Sequence, residues 1–405
     1  MFDLVHASQP IWIAYASLLG LALAPGIYWI QDEAARILYV SVFCSIAYLP
    51  YLFALYSARH FTPGAAHWRI AWLTALGLRL LCFFPPALFS DDVLRYEWEA
   101  RTMLSGLNPY LTTPREMAAI NLRIPGYDFA AVYGPWLEAV HALVFAAGLP
   151  LKASGAAAEL LLLVLVARQG MAFERWLLLA WSPLSIVEFW LNGHNDAWLI
   201  LFLYLGLWSV GLVSWGFLAM AVLTKWWPAL LMPVWWARAY SLPGMAAFAA
   251  LLIPCAFLMP VEAWLTKIRF ASGFLGGWQN NAFLYRFLSD KWQSFTVSLL
   301  AGMLLPLTRL DRDHLTLWFV TIFLAFSGNI HPWYLTWLLP GLLRTKVNPL
   351  PWLVPMALLP LAYNPMLGWV AGGYWRPDER IPLFIWSGTG AFAIYSFLKW
   401  WKAIR

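Results

Sequence analysis

The sequence predicts an all-α polytopic membrane protein, on three observations. Of the 405 residues, 62% are hydrophobic and only 11% are charged, and the mean hydropathy is +0.66. Apolar runs near the length of about twenty residues that a helix needs to cross a bilayer recur along the chain. The 28 tryptophans and 17 tyrosines suit the aromatic belts of membrane interfaces. We therefore expect one transmembrane domain over 1–405, with about 11–14 transmembrane or re-entrant helices.

The individual spans are predicted from the apolar runs. These runs are 11–30, 37–57, 70–89, 135–149, 153–167, 176–191, 196–212, 214–237, 244–262, 293–307, 315–329, 332–343, 350–367 and 382–400. The first run lacks a basic flank and a small-residue cleavage site, so we expect a retained span rather than a signal peptide. Two long polar gaps, 90–134 and 263–292, are predicted to be outer loops.

Basic residues set the predicted sides of the membrane, because lysine and arginine favour cytoplasmic loops. Both termini are expected to be cytoplasmic, as are the connecting segments with arginine or lysine, which are 59–69, 168–175, 238, 308–314 and 344–346. The polar clusters then face outward. This arrangement requires 135–167 and 214–237 each to form a partial or re-entrant pass. Pro150 and Pro228 allow broken helices there.

The stretch "FSDDVLRYEWEARTMLSGLNPY" at 89–110 concentrates charge beside an apolar run. It predicts an interfacial helix over 91–105 that ends at Gly106, with Ser90 or Asp91 as the N-cap. At helical spacing Asp92 shares a face with three other polar side chains, Arg95, Tyr96 and Glu99. The paired carboxylates indicate a base that activates a hydroxyl. Alternatively, Asp91 only caps the helix and Asp92 only interacts with its dipole.

A second cluster, "VEFWLNGHNDAWLI", places Glu188 inside an apolar run. An acid inside a membrane span indicates either a functional group or a paired one. Asn192, His194 and Asp196 follow at the predicted outer edge. The alternative here is a polar junction between helices, with Asp196 as a helix cap.

Basic and aromatic side chains form the remaining candidates. Lys225, in "LTKWWPALLMP", precedes a proline break near the outer tip of 214–237, where an ammonium suits a phosphate. The alternative is a lysine that snorkels to the interface. Arg286, and His331 with the adjacent Trp333 and Tyr334, suit a phosphate with a sugar stacked on a ring.

Several classes of chemistry have no sequence signal. The chain shows no P-loop, no dinucleotide-binding glycine motif and no metal-ligand spacing, and its three cysteines lie in apolar runs. We therefore expect no metal, no cofactor and no nucleic-acid partner. A donor delivered from within the membrane, with a lipid tail and a phosphate head, fits the clusters.

The order of "SDDVLRYEWEARTMLSGLNPY", "YGPW", "NGHNDAW", "TKWWPALLMP" and "HPWYLTWLLP" resembles the GT-C superfamily of integral membrane glycosyltransferases. Within it, the chain is most similar to bacterial polyprenol-phosphate-mannose-dependent mannosyltransferases. The resemblance covers roughly residues 70–345. It implies the GT-C fold, with the outer loop 90–134 as the catalytic loop.

The resemblance also implies an activity. It is the inverting transfer of a hexose, which the resemblance implies is mannose, from a polyprenyl-phosphate donor to a lipid-linked or glycan acceptor at the outer face of a bacterial inner membrane. Asp92, spaced from Tyr96 as in the family, is the expected base, and Asp91 matches the alternative acidic position. Lys225, Arg286 and His331 are expected at the donor phosphate.

Further residues are expected to line the substrate cleft. They are Arg95, Tyr96, Glu99, Asn108, Tyr110, Tyr133, Glu188, Asn192, His194, Asp196, Trp333 and Tyr334. The competing hypothesis is a transporter or flippase of lipid-linked sugars, which broken helices and outward charge also suit. The absence of a sequence repeat favours the transferase.

Overall fold

The computed structural model describes residues 28–60, 62–117, 124, 126–265, 279–288, 291–372, 378 and 380–390. The two predicted outer loops, 90–134 and 263–292, are therefore described in part. Most of the predicted first span, 11–30, and the end of the last one, 382–400, lie outside the described residues. The same is true of both chain termini.

The described residues are helical, and no strand occurs among them, which confirms the all-α prediction. The α-helices are α1 Glu33–Ile46, α2 Tyr48–Ala58, α3 Ala65–Phe83, α4 Asp92–Leu104, α5 Pro135–Ala146, α6 Lys152–Arg168, α7 Phe173–Ala180, α8 Pro183–Ile186, α9 Asp196–Trp208, α10 Gly211–Thr224, α11 Met232–Arg238, α12 Leu242–Leu258, α13 Lys291–Leu304, α14 Arg312–Ala325, α15 Leu339–Arg344, α16 Leu350–Leu358 and α17 Pro365–Gly372. Shorter 3-10 or π segments continue several of them. The longer ones are Val187–Leu191, Trp227–Leu231, Pro332–Leu338 and Leu359–Tyr363.

Two stretches of the described chain are long and apolar enough to cross a membrane. They are Glu33–Ala58, which joins α1 to α2, and Leu350–Gly372, which joins α16 to α17. The criterion is one of length and composition, and the core helix of a soluble protein also meets it. The other apolar helices are shorter, because most predicted spans are interrupted by turns or 3-10 segments.

At one end of the helix bundle, called here the Arg312 end, arginine side chains hydrogen-bond to the segments that connect the helices. Arg312 donates to the carbonyls of Leu207 and Ser209, at 2.7 and 2.8 Å. Arg344 donates to Asp313 at 3.1 Å. The same pattern recurs in two further arginines, Arg175 to Leu342 and Val347, and Arg238 to Pro306 and Leu310. The segments predicted to be cytoplasmic at 168–175, 238, 308–314 and 344–346 therefore lie together.

The segment 214–237 forms a helical hairpin. Helix α10 ends at Thr224, Lys225 is extended (φ −140°, ψ 145°), and Trp227–Leu231 and α11 lead back. Lys225 bonds to Asp196 at the opposite end of the bundle, which we call the Asp92 end. Arg238 bonds to Leu310 at the Arg312 end. The predicted break near Pro228 is thus present, three residues earlier at Lys225.

Helix α5 explains the other irregular pass, 135–167. Before it, Gly134 N donates to the Thr224 carbonyl at 3.0 Å, and a Cβ on Gly134 would lie 2.0 Å from the Leu223 carbonyl oxygen. After it, Lys152 donates to the Pro85 carbonyl. Both ends of α5 therefore lie at the Asp92 end, so 135–149 does not traverse the bundle. Only α6 leads to the Arg312 end. There Gln169, the residue after α6, accepts a hydrogen bond from the Tyr204 hydroxyl on α9.

Candidate functional site

Helix α4 carries the predicted base at its first residue. Ser90 Oγ accepts from the Asp92 backbone N–H at 3.1 Å. The helix ends as predicted, since Leu107 N donates to Thr102 O and Gly106 adopts φ +76°. Asp91 is the N-cap residue by position, as predicted, but its side chain makes no capping hydrogen bond. Its Oδ2 accepts instead from Trp369 Nε1 at 2.8 Å, which ties α4 to α17.

Five side chains form what we call the polar cluster: Asp92, Glu188, His194, Asp196 and Lys225. His194 is fully buried, with Nδ1 3.6 Å from Asp92 Oδ2 and Nε2 3.4 Å from Glu188 Oε2. Lys225 Nζ lies 2.8 and 2.9 Å from the two Asp196 oxygens. Of the three carboxylates, Asp92 alone is partly open, with 20% of its side chain exposed.

A widened helical turn sets the geometry of this cluster. Val187–Leu191 is a π-helix, a feature often found at functional sites. Asn192 follows it, and its amide oxygen accepts from the backbone N–H groups of Leu88 and Phe89. Asn192 Nδ2 donates to Glu188 Oε2 at 3.0 Å. Asn192 therefore holds the loop before α4 against the turn that carries Glu188.

Gly193 is required at the next position. It has φ +75°, and a Cβ there would lie 2.6 Å from Lys152 Cβ. Both constraints exclude larger residues. This tight turn brings His194 over Asp92 and places Asp196 at the start of α9.

Aromatic rings wall the cluster. Lys225 Nζ lies 5.5 Å from the ring centroids of Tyr133, Tyr334 and Trp337. Trp337 Nε1 also donates to Asp196 at 2.5 Å. The Trp333 ring stacks on His194, with centroids 3.8 Å apart, and on His331 at 4.3 Å. The aromatic 3-10 segment Pro332–Leu338 therefore joins His331 to the polar cluster.

Burial controls the ionisation of the groups at this end. It raises the pKa of Asp92 to about 6, and nearby Lys225 and Arg95 oppose that rise. Burial lowers the pKa of His331 to about 3, with a smaller effect from Lys225. The pKa of His194 is lowered well below its usual value by burial and by the same lysine. At neutral pH the site thus holds a carboxylate beside neutral imidazoles.

Other predicted residues contact the protein itself. Arg95 pairs with Glu99 at 3.1 Å and donates to three carbonyls of the 126–130 loop. Tyr96 stacks on His141 with centroids 4.5 Å apart. In this structure these buried side chains fix the 126–130 loop to α4 and α5, and their contact with a substrate stays a prediction.

The predicted cleft residues beyond α4 join neighbouring segments. Asn108 donates to the Leu258 carbonyl at 2.8 Å and accepts from Tyr110 N at 2.9 Å. Tyr110 is buried, and its hydroxyl donates to the Tyr133 carbonyl at 3.3 Å. The segment after α4 is thereby attached to the end of α12.

Arg286 lies on the 3-10 segment Leu284–Phe287 and is exposed. Its Nε donates to the Ala282 carbonyl at 2.8 Å. The same loop is bonded to the segment before His331, because Asn281 Nδ2 donates to Ile330 O at 3.0 Å and Ile330 N donates to Asn280 O at 2.8 Å. The two predicted donor-side residues thus sit on joined segments.

Three contacts were missed by sequence reasoning. Tyr363 donates to Glu188 Oε1 at 2.6 Å, and Trp369 and Trp337 donate to Asp91 and Asp196. The sequence does show Glu188 within an apolar run, and a buried carboxylate needs a hydrogen-bond donor. That signal does not say which of the many distant tyrosines and tryptophans supplies it.

No family model, curated protein or solved structure matches the chain. Among the described residues, no three His, Cys, Asp or Glu side chains are grouped to hold a metal ion. The chemistry available at this site is that of a partly open carboxylate, a lysine–aspartate pair and aromatic walls.

Proposed function

We propose that this protein is an inverting membrane glycosyltransferase of the GT-C type. It moves a hexose, mannose by the resemblance, from a polyprenyl-phosphate donor to a lipid-linked or glycan acceptor. One observation carries the proposal: the partly open Asp92 carboxylate lies within electrostatic reach of Lys225, and aromatic rings surround that lysine. The polytopic placement, with the Asp92 end at the outer face of a bacterial inner membrane, belongs to the same proposal.

The reaction begins with Asp92. Its carboxylate takes the proton from an acceptor hydroxyl while that oxygen attacks the anomeric carbon. Attack comes from the side opposite the phosphate, so the configuration inverts. A new C–O bond forms, the bond from the anomeric carbon to the phosphate oxygen breaks, and the polyprenyl phosphate leaves with the electron pair.

Lys225 stabilises the departing phosphate. Its ammonium has three N–H donors and is held by Asp196, so it is fixed in place before the reaction starts. A fixed cation near developing negative charge can contribute several kcal/mol to catalysis. Arg286 adds a second positive charge, whereas His331, with its pKa of about 3, contributes a hydrogen bond rather than a charge.

Asp92→Asn tests the assignment of the base. In detergent, the purified protein is supplied with polyprenyl-phosphate-mannose and candidate lipid-linked acceptors, and release of polyprenyl phosphate is followed. We expect Asp92→Asn to lower kcat by about 10²–10⁴-fold, the usual contribution of a general base. Asp91→Asn should stay within a few-fold of wild type, because Asp91 is bonded to Trp369.

Glu97→Gln is the matched control, since Glu97 lies on the same helix and pairs with the exposed Arg101. The base assignment is wrong if Asp92→Asn, Asp91→Asn and the double variant all turn over as fast as wild type. The alternative function has a distinct result in reconstituted vesicles. A flippase moves labelled donor across the bilayer without releasing polyprenyl phosphate.

A further inference from the structure

A buried histidine bridges two carboxylates behind the proposed base. The His194 ring has one nitrogen directed to Asp92 and the other to Glu188, at 3.6 and 3.4 Å. Stacking on Trp333 fixes the plane of the ring. Neither ring nitrogen has a hydrogen-bond partner within normal limits, although both are buried. Such a group is costly to leave unsatisfied, which indicates that its two nitrogens serve a purpose.

Glu188 ends this row of groups. It is fully buried, and it accepts from Tyr363 on Oε1 and from Asn192 on Oε2. Two donors hold the carboxylate so that Oε2 remains close to His194 Nε2. The row therefore runs from the partly open Asp92, through one imidazole, to a carboxylate that solvent does not reach.

We propose that Asp92, His194 and Glu188 form a proton relay that carries the acceptor's proton away from the reaction centre. The inference rests on the proposed function. Before the reaction, Glu188 is ionised and His194 carries its hydrogen on Nε2, facing Glu188. Asp92 takes the hydroxyl proton and passes it to Nδ1, and Nε2–H passes its own hydrogen to Glu188.

Each bond that breaks in the relay is matched by one that forms. The acceptor O–H bond breaks, an N–H bond forms at Nδ1, the Nε2–H bond breaks and an O–H bond forms at Glu188. The imidazole ends neutral in its other tautomer, and Asp92 is again a carboxylate. After the products leave, the same transfers in reverse return the proton to Asp92, from which solvent removes it. The negative charge that Glu188 loses is matched by the charge the phosphate gains, so no second charge has to be created in the buried site.

Proton transfer requires the row to tighten when substrate binds. At rest both separations from the His194 nitrogens are a few tenths of an ångström longer than a hydrogen bond. Catalytic hydrogen bonds often tighten only when substrate is bound. The other charged or titratable groups around the ring are Asp196, Lys225 and His331. Of these, Asp196 and Lys225 are already paired with each other.

Glu188→Gln and His194→Gln test the relay. Each replacement keeps a polar side chain of similar size but cannot carry a proton along the row. We expect kcat to fall at least tenfold in both, with the KM for acceptor within twofold of wild type. The deficit should grow as the pH rises, because the relay operates only while Glu188 is ionised. A proton inventory in H₂O–D₂O mixtures should change from curved in wild type to linear in the variants.

Glu97→Gln again provides the control, and the thermal midpoint of each variant reports folding. If Glu188→Gln fails to fold, Glu188→Asp replaces it. Because aspartate keeps a carboxylate, we expect the proton inventory of this variant to be curved, as in wild type. Wild type that releases no polyprenyl phosphate overturns the proposed function. The relay alone is overturned by a different result. In that result wild-type activity depends on Asp92, but His194→Gln and Glu188→Gln keep the wild-type kcat and a curved proton inventory.

Discussion

Two adjacent aspartates differ because their neighbours differ. Asp91 accepts from the Trp369 indole and contacts α17, whereas Asp92 is adjacent to His194 and keeps an open edge. Burial raises the pKa of Asp92 to about 6, and Lys225 and Arg95 limit the rise. A base with this pKa is ionised at neutral pH and still accepts a proton readily.

This pKa predicts the acid limb of the pH–rate profile. The active form of Asp92 is the carboxylate, so Asp92 should give kcat/KM an acid limb below about pH 6, tenfold per pH unit. The ionisation of Glu188, which the relay requires, should add a second limb at higher pH that Glu188→Gln lacks. The neighbouring groups that shape this limb are Lys225, Arg95 and Asp196. Neither His194 nor His331 should add a limb in this range, because their pKa values are lowered. The measurement is initial rate of polyprenyl phosphate release between pH 5 and 9.

Residual activity in Asp92→Asn should lack this limb, and Asp91→Asn should keep it. A limb that persists in Asp92→Asn would assign the ionisation to another group. This outcome is independent of the identity of the acceptor, because it concerns kcat/KM of the free enzyme.

The sequence predicts the buried acid of the site but not all of its hydrogen-bond partners. The run that contains Glu188 predicted a buried acid that needs a partner, and the partners are Asn192, four residues away, and Tyr363, 175 residues away. The first follows from helical spacing, whereas the second depends on how the turn Val187–Leu191 packs against the segment Leu359–Tyr363. Local patterns contain no information on that packing, and the same holds for Trp369 and Asp91.

At the scale of single elements, glycine and proline mark where helices change course. Gly106 ends α4 with a left-handed residue, which the sequence predicted. Gly134 is needed for another reason, the close approach of the chain before α5 to the carbonyl of Leu223. That contact joins segments about ninety residues apart, so the "YGPW" motif alone did not reveal it.

Helices α3 and α6 are joined by a buried ion pair. Arg79 donates to both Glu159 oxygens, at 2.8 and 2.7 Å, and also to the Ala180 carbonyl at 2.6 Å. Trp190 Nε1 donates to Glu159 at 2.6 Å. Each polar group in this network is thus compensated, as an apolar surrounding requires.

Glu159→Leu should therefore destabilise the protein by about 3–5 kcal/mol, because it leaves the buried Arg79 guanidinium without its carboxylate. The double variant Arg79→Leu, Glu159→Leu should recover much of this loss, since it leaves no unpaired charge. Thermal unfolding in detergent measures both. The control is Glu97→Gln, which breaks an exposed pair worth about 0–1 kcal/mol. Equal midpoints for wild type and Glu159→Leu would contradict the prediction.

At the scale of the whole molecule, the connections sort into two ends. Predicted cytoplasmic segments meet through arginine–carbonyl bonds at the Arg312 end, and predicted outer segments meet around Asp92 and Lys225. The prediction used charge alone, and the contacts in the structure do not depend on a membrane. The two passes that the charge count could not place are resolved as a hairpin at Lys225 and a helix, α5, that stays at the Asp92 end.

This division predicts opposite labelling of the two ends in cells. Single cysteines replace exposed residues at the Asp92 end, Leu107 and Phe287, or at the Arg312 end, Tyr240 and Arg309. A membrane-impermeant maleimide should label the first pair on intact spheroplasts and the second pair only after permeabilisation. The native Cys44, Cys82 and Cys255 are buried, so background labelling should be low. The variant Leu107→Cys is the most informative, because it follows α4 directly and reports the side on which Asp92 meets its substrates. Labelling of Leu107→Cys only after permeabilisation would place the site in the cytoplasm, where a lipid-linked donor at the outer face cannot reach it.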